Sequence, residues 1–374
     1  MKIVHVITGL EMGGAEHMLL KILSQDTENE HCVISLTDGG SLKNSYEETK
    51  HTLHTLGLKR GKLSFSALKK LATLIHIEDP DIIQGWMYHG NLAALAGKIC
   101  GFSRASLYWN IRHSLHDLKH EKKSTAWVIR LCGFLSFLPK KIIYNSHMSQ
   151  IQHQKHFYSA RKSVILPNGF DIDKFSPNAS SRMKWRKEWS CEEETKVYGM
   201  IARYHPMKDH ETLLQGFAKA LENKKIKAKL VLVGTNVDES NSTLSTLIEK
   251  LSLKDHVVLM GERRDINEIL PAFDYAILSS AWGEGFSNFL GESMACGIPA
   301  IATNIGDNAR IIDEYGIIIS SQNSDQLSNA IITMSNIDQD DYHRLSSACR
   351  IHINDNFTID KITHDYLSLY QQKA

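Results

Sequence analysis

The chain has 374 residues, 42% apolar and 23% charged, with 7 Pro and 6 Cys: a soluble globular composition, long enough for two domains and too apolar to be disordered. The cysteines form no Cys-x-x-Cys pair, which argues against a zinc ribbon or a disulfide scaffold and for a reducing compartment. The net charge of +1 conceals an asymmetry, because residues 1–170 hold 21 Lys+Arg against 13 Asp+Glu (+8) and the rest hold 22 against 29 (−7), with no nucleic-acid motif in the basic half.

The apolar start at 3–7 is broken by His5 and runs into a glycine loop, so no secretory signal is expected and the cytoplasm is the expected location. Strand-like runs follow at 2–8, 31–36, 81–84, 106–110, 141–145 and 163–166, with amphipathic segments such as 16–23 and 68–77 between them. Strand and helix in alternation predict a parallel sheet covered on both faces. The first run ends in Gly9-Leu-Glu-Met-Gly13-Gly14-Ala-Glu16 and leads into a helix, which puts backbone N–H groups at a helix start. The spacing is not Gly-x-Gly-x-x-Gly, so a nicotinamide cofactor is not indicated, and a tight strand-to-helix turn also explains both glycines.

Residues 119–141 interleave Lys119, Lys122, Lys123, Arg130, Lys140 and Lys141 with Trp127, Val128, Ile129, Leu131, Phe134, Leu135, Phe137 and Leu138. The apolar part, 126–138, is too short to cross a bilayer. It suits a helix lying in an anionic membrane interface, which the +8 charge of the first half favours; a core helix with one apolar stripe is the alternative.

Pro167-Asn-Gly169 and the polar stretch 176–194 mark a domain boundary, after which strand-like runs recur at 197–201, 229–233, 256–259, 275–278, 299–302 and 316–319. Arg203 and Lys208 flank the loop after the first of these, where open α/β sheets bind ligands; a diphosphate suits two cations there, and solvated surface charge is the plainer alternative. After the run at 275–278 comes Trp282-Gly-Glu284-Gly-Phe-Ser-Asn-Phe-Leu-Gly-Glu292, with one carboxylate in a glycine loop and the other on the helix beginning near Asn288. A helix start offers backbone N–H groups to a phosphate, so this geometry suits a nucleoside diphosphate sugar. A last amphipathic helix is expected at 358–371.

The Gly13-Gly-Ala-Glu16 loop, Leu166-Pro-Asn-Gly169-Phe-Asp-Ile-Asp-Lys-Phe175, Arg203 with Lys208, the Glu284-x7-Glu292 pair and Asn304-Ile-Gly306-Asp307 together resemble the retaining glycosyltransferases of family 4 over essentially the whole chain. The resemblance implies an α/β GT-B fold: two tandem Rossmann-like domains whose parallel sheets face a central cleft. They would span 1–168 on the acceptor side and 169–357 on the nucleotide-sugar side, with 358–374 packing back on the first. It implies that Arg203 and Lys208 bind the donor diphosphate, Glu292 the ribose and Glu284 the donor sugar, with Gly285, Phe286, Ser287, Asn288, Phe289 and Leu290 completing the site. Arg263 joins that donor set, Gly13 and Gly14 close on the phosphates, and His113 in Asn110-Ile-Arg-His-Ser114 matches an active-site histidine, with His116 and His120 nearby.

The same resemblance implies a metal-independent hexosyl transfer from a UDP-linked sugar, the leaving diphosphate serving as base on the same face. The acceptor would be a glycan or a polyprenyl-diphosphate-linked sugar in cell-surface polysaccharide assembly, at the inner face of the cytoplasmic membrane. Asp171-Ile-Asp173 looks like a metal-binding triplet but is expected to be a hinge element. A sugar-nucleotide 2-epimerase of the same fold and a non-catalytic carbohydrate-binding relative are the alternatives.

Overall fold

The structure is a computed structural model describing residues 1–11, 13–59, 64–115, 118–223 and 226–372, and His116 lies outside these. Two compact units divide the chain: unit 1 is Met1–Gly169 with Ile359–Ala374, and unit 2 is Phe170–Thr358.

Unit 1 is built on strands β1 (Lys2–Ile7), β2 (Glu30–Ser35), β3 (Thr52–Thr55), β4 (Ile82–Trp86), β5 (Ser106–Ile111), β6 (Lys141–Tyr144) and β7 (Ser163–Ile165). They form a parallel sheet in the order β3-β2-β1-β4-β5-β6-β7. β-Branched residues suit a pleated strand covered on both faces, and β1 shows it: Ile3 and Ile7 enter one core while Val4 and Val6 enter the other. Each such side chain contributes about 1.5–3 kcal/mol on burial.

The Ile359–Gln371 helix completes the first core with Ile359, Ile362, Tyr366, Leu369 and Tyr370. Its tyrosines also find polar partners in the sheet. Tyr366 Oη accepts from Asn110 Nδ2 and Arg112 Nη1, both at 2.8 Å, and Tyr370 Oη donates to Gln84.

The Lys123–Leu135 helix buries Ala126, Ile129, Cys132 and Gly133. Its opposite face carries Lys123, Trp127, Arg130 and Phe134, all exposed, and Phe137 and Leu138 continue that surface. The segment is therefore a one-sided helix with an exposed stripe of aromatic and basic residues. Among the described residues no helix is long and apolar enough to cross a membrane.

Unit 2 repeats the plan with β8 (Lys196–Ile201), β9 (Ala228–Val233), β10 (Val257–Leu259), β11 (Tyr275–Leu278), β12 (Ala300–Thr303) and β13 (Gly316–Ile319). The parallel order is β10-β9-β8-β11-β12-β13. In each sheet the order reverses beside the first strand, at β1/β4 and at β8/β11. Loops leaving the carboxyl ends of such a pair diverge and leave a crevice, the usual ligand position in this architecture. The Arg203–Lys208 loop follows β8 and the 279–292 segment follows β11, so both stand at the reversal point of unit 2.

Candidate active site

In unit 2 the sequence after β8 makes one turn of 3-10 helix, Pro206–Lys208, and then starts the His210–Leu221 helix. Asp209 takes a left-handed conformation and caps that helix by accepting from Thr212 N–H at 3.1 Å. This reversal brings Lys208 back over the loop that follows β11. Its ammonium pairs with the Glu284 carboxylate, and both side chains are largely buried. The same Oε1 of Glu284 accepts the Ser280 hydroxyl at 2.5 Å, so one carboxylate oxygen joins two loops.

Several bonds fix these loops against each other. Ser279 Oγ donates to the carbonyls of Lys208 and Asp209 at 2.9 and 3.1 Å, and Ala281 N–H donates to Met207 O at 2.8 Å. Gly283 has φ +80, and a Cβ there would stand 2.4 Å from Met207 Sδ. Gly306 has φ +63, and its Cβ would stand 2.5 Å from the Glu284 carbonyl oxygen. A side chain at Gly306 would push against the Glu284 backbone, and one at Gly283 would strain a left-handed residue and displace the Met207 side chain.

Ser287 caps the Asn288–Ala295 helix, accepting from Leu290 N–H at 3.4 Å. First-turn N–H groups of a helix have no intrahelical acceptor, and the helix dipole adds partial positive charge there. Glu292, half-buried, lies one turn further along the same helix. Phe286 stacks on Phe170 at 6.1 Å and fixes the loop entering the helix. Arg203 is exposed, with no side-chain hydrogen bond or ion pair among the described residues. Arg263 is held elsewhere: its guanidinium makes bonds of 2.9 and 2.6 Å to Asp265 and lies over the Trp185 ring at 5.3 Å. The Asp265 hydrogen bond raises its pKa.

Thus Lys208, Glu284 and the Ser287–Leu290 helix start are assembled around one pair of loops, while Arg263 is engaged with Asp265. Asp171 closes its own turn by accepting from the N–H groups of Asp173 and Lys174 at 3.1 and 2.8 Å. Among the described residues neither Asp171 nor Asp173 belongs to a cluster of metal-ligand type.

In unit 1, Gly13 is the extended residue before the Gly14–Gln25 helix, with φ −145 and ψ 161. A Cβ on Gly14 would meet nothing within 4 Å, so the backbone there is open to approach. His113 follows β5, and a buried network that the sequence did not reveal sets its proton. His153 Nδ1 lies 2.7 Å from Ser149 O; a carbonyl only accepts, so Nδ1 carries the hydrogen and Nε2 is the acceptor. Tyr88 therefore donates its hydroxyl proton to His153 Nε2 at 2.7 Å. The Tyr88 oxygen is left to accept from His113 Nδ1 at 3.1 Å.

His113 Nε2 is thereby the nitrogen that can exchange a proton, with Glu121 Oε1 at 3.6 Å. Burial lowers the pKa of His113, and Glu121 pulls the other way. Burial drives His153 down to about 3 and Tyr88 well above its ordinary value, so neither ionises at neutral pH. His120 closes the 3-10 turn Leu118–His120.

Two family models match consecutive stretches of the chain. Glycosyltransferase Family 4 covers residues 12–174, and Glycosyl transferases group 1 covers residues 181–351. The chain belongs to the group 1, family 4 glycosyltransferases. The first stretch contains Gly13, Gly14 and His113, and the second contains Arg203, Lys208, Arg263, Glu284 and Glu292.

Among curated members of this glycosyltransferase family, the chain is 24% identical to the UDP-Gal:alpha-D-GlcNAc-diphosphoundecaprenol alpha-1,3-galactosyltransferase of Escherichia coli, over 82% of this chain and 80% of that one. It is 25% identical, over 88% of each chain, to the N-acetylgalactosamine-N,N'-diacetylbacillosaminyl-diphospho-undecaprenol 4-alpha-N-acetylgalactosaminyltransferase of Campylobacter jejuni. Among solved structures, Anabaena HepE in complex with UDP superposes with a TM-score of 0.85 at 21% identity, covering 99% of both chains. That likeness is one of fold, and the fold is of the GT-B class.

Proposed function

We propose that this glycosyltransferase moves a hexosyl group from a UDP-linked donor, with retention of configuration, to a polyprenyl-diphosphate-linked glycan at the cytoplasmic face of a membrane. The observation that carries the reading is the Lys208–Glu284–Ser280 knot beside the Ser287-capped helix that bears Glu292. It sets a cation, two carboxylates and a helix start on adjoining loops, the groups needed to hold a diphosphate, a sugar and a ribose in a row. Support for UDP comes from the activity of the Escherichia coli relative, and support for a diphosphoundecaprenol-linked acceptor from the activities of both relatives.

In this reading Lys208 and Arg203 take the diphosphate, and the helix start from Ser287 to Leu290 adds backbone N–H groups beside the one that Ser287 already accepts. Glu292 holds the ribose hydroxyls, and Glu284 the hydroxyls of the donor sugar. As the glycosidic bond breaks, positive charge grows on the ring and negative charge on the departing oxygen. A preorganised cation at that oxygen lowers the barrier without needing a metal. The departing phosphate oxygen takes the proton of the incoming hydroxyl on the same face. The family pattern assigns Gly13, Gly14 and Arg263 to the donor, Arg263 on leaving its surface pair with Asp265, and His113 to the catalytic set. His113 would present the Nε2 atom that its Tyr88 hydrogen bond leaves available.

The exposed Lys123, Trp127, Arg130 and Phe134 stripe is assigned to an anionic bilayer surface, the rings entering the headgroup region and the cations meeting lipid phosphates. Turnover should be followed as free UDP, with and without a diphosphoundecaprenol-linked sugar. UDP released only when that acceptor is present supports the proposal. Conversion of the donor alone would point to an epimerase, and donor binding without turnover to a carbohydrate-binding protein.

A further inference from the structure

Three potential ligand atoms meet in unit 1, away from the carboxyl ends of its strands. They are Cys32 Sγ on β2, one ring nitrogen of His54 on β3 and one carboxylate oxygen of Glu78 at the end of the Phe65–Glu78 helix, all within 4.8 Å of one another. Strand register explains the meeting. β2 and β3 are parallel neighbours with Ile34 opposite His54, so Cys32 and His54 lie two residues apart on the same face, and the helix end covers that face. Cys32 is buried, while His54 and Glu78 are half-buried.

The orientation of Glu78 is the informative detail. Lys2 holds Oε2 at 2.8 Å, which turns Oε1 toward His54 Nε2 at 3.4 Å. That separation is long for a charge-assisted hydrogen bond, where about 2.8 Å is usual. It equals the edge of a tetrahedron whose centre lies about 2.0–2.1 Å from each corner, the bond length of zinc to nitrogen or carboxylate oxygen. A cation that fixes the outer oxygen of a ligating carboxylate is also the kind of outer partner that metal sites use to aim their ligands. A cavity of about 750 Å³, lined by Cys32, Glu78, Lys2, His31 and His51 among others, reaches two of the three ligands and gives an ion both an entry path and room for a water.

We propose that Cys32, His54 and Glu78 form a site for a divalent ion of the zinc class, with Lys2 as the residue that orients Glu78 and a cavity water as fourth ligand. One thiol, one imidazole and one carboxylate favour a borderline-soft ion over Mg²⁺ or Ca²⁺. Binding forms the metal–sulfur bond as the Cys32 thiol gives up its proton to solvent, so uptake weakens as pH falls. Thiolate and carboxylate together balance the ion's two charges. The ion would join β2, β3 and the helix end, and so stabilise unit 1; it lies outside the loops assigned to the donor.

Co²⁺ is the probe, because thiolate ligation gives a near-ultraviolet charge-transfer band and tetrahedral coordination gives intense visible bands. Chelator-dialysed full-length protein should take up one equivalent with both signatures, and Zn²⁺ should displace it and raise the Tm. Cys32→Ser should lose the charge-transfer band, while Cys100→Ser, at an exposed position, should keep it. His54→Gln, which removes a half-buried group and spares the core, should weaken Co²⁺ binding more than the roughly 10–100-fold expected for loss of an outer partner in Lys2→Met. Absence of the charge-transfer band, its persistence in Cys32→Ser, or equal affinity in His54→Gln and wild type would each overturn the proposal. The donor reading stands or falls separately, on UDP release.

Discussion

Removing Lys208 tests the ion pair that joins the loops after β8 and β11. Cutting one partner from a buried ion pair costs about 3–5 kcal/mol, because the other charge is left without compensation. Here the side chains keep 17% and 9% of their exposure, and Ser280 still donates to Glu284, so Lys208→Ala should fall near the lower end, about 3 kcal/mol. In a unit the size of Phe170–Thr358 each kcal/mol moves Tm by about 2–4 °C, giving a fall of roughly 6–12 °C. Glu284→Ala should cost less, about 2 kcal/mol, since the freed lysine can reach water. The double variant should cost little more than Lys208→Ala alone, leaving a coupling on the order of 2 kcal/mol. Calorimetry on the four proteins measures this, and turnover measured in parallel separates folding from chemistry. Lys208→Ala should also lower kcat on the order of 10²-fold through lost leaving-group stabilisation. Single costs that add to within about 0.5 kcal/mol would show that the two residues do not interact and would refute the ion pair at the centre of the site.

Other expectations address single features. Glu292→Ala should weaken UDP by about 1.5–3 kcal/mol in calorimetric titration, while Glu284→Ala should leave UDP affinity nearly unchanged and lower kcat/KM; the reverse pattern would mean the donor lies the other way round. Excess EDTA should leave turnover within about twofold, and activity restored by Mn²⁺ would return Asp171 and Asp173 to consideration. His153 is neutral in the fold, with its pKa driven down to about 3 by burial, and protonates near 6.5 when unfolded. Its contribution is therefore complete above pH 6.5 and lost as pH falls toward 3, at about 1.4 kcal/mol per unit. His5, His31 and His210 are shifted the same way, so urea unfolding at pH 7.5, 6.5 and 5.5 should show a steep loss that is shallower by that one increment in His153→Gln. Sedimentation with anionic vesicles should fall as salt rises past a Debye length of about 8 Å and fall further in a Trp127→Ser/Phe134→Ser variant; equal partition onto neutral vesicles would refute the electrostatic part.

Twelve strands of the two sheets are legible in the sequence because they are short apolar runs, nine of them almost wholly buried. β3 is not. Thr-Leu-His-Thr at 52–55 is short, polar and only half-buried at the sheet edge, so its pattern resembles a loop and only pairing with β2 makes it a strand. The Glu284–Glu292 segment is equally legible, since glycines, a capping serine and two carboxylates occupy consecutive positions. The pairing of Lys208 with Glu284 is not, because it joins residues 76 positions apart through a left-handed turn at Asp209 and a bond from Ser279. For the same reason Tyr88 and His153 left no trace: one begins a helix after β4, the other sits within His147–Gln154, and only the folded sheet brings them to His113. Asp171 and Asp173 are a motif-like triplet of another kind: Asp171 Oδ1 accepts from its own turn, a local bond that the spacing alone does not foretell.

The division of unit 1 into two segments imposes an order on synthesis. Residues 1–169 reach the ribosome exit before any of unit 2, yet one wall of their first core is supplied by Ile362, Tyr366, Leu369 and Tyr370. Until those residues are made, Arg112 lacks the Tyr366 hydroxyl and Gln84 lacks Tyr370, so a buried guanidinium and a buried amide wait partly unsatisfied. Unit 2 is one uninterrupted segment and can close its own core first, although its residues are translated second. A nascent chain arrested after Thr358 would expose the apolar groove awaiting the final helix, which makes that intermediate the natural client of a chaperone and the natural point for aggregation to begin.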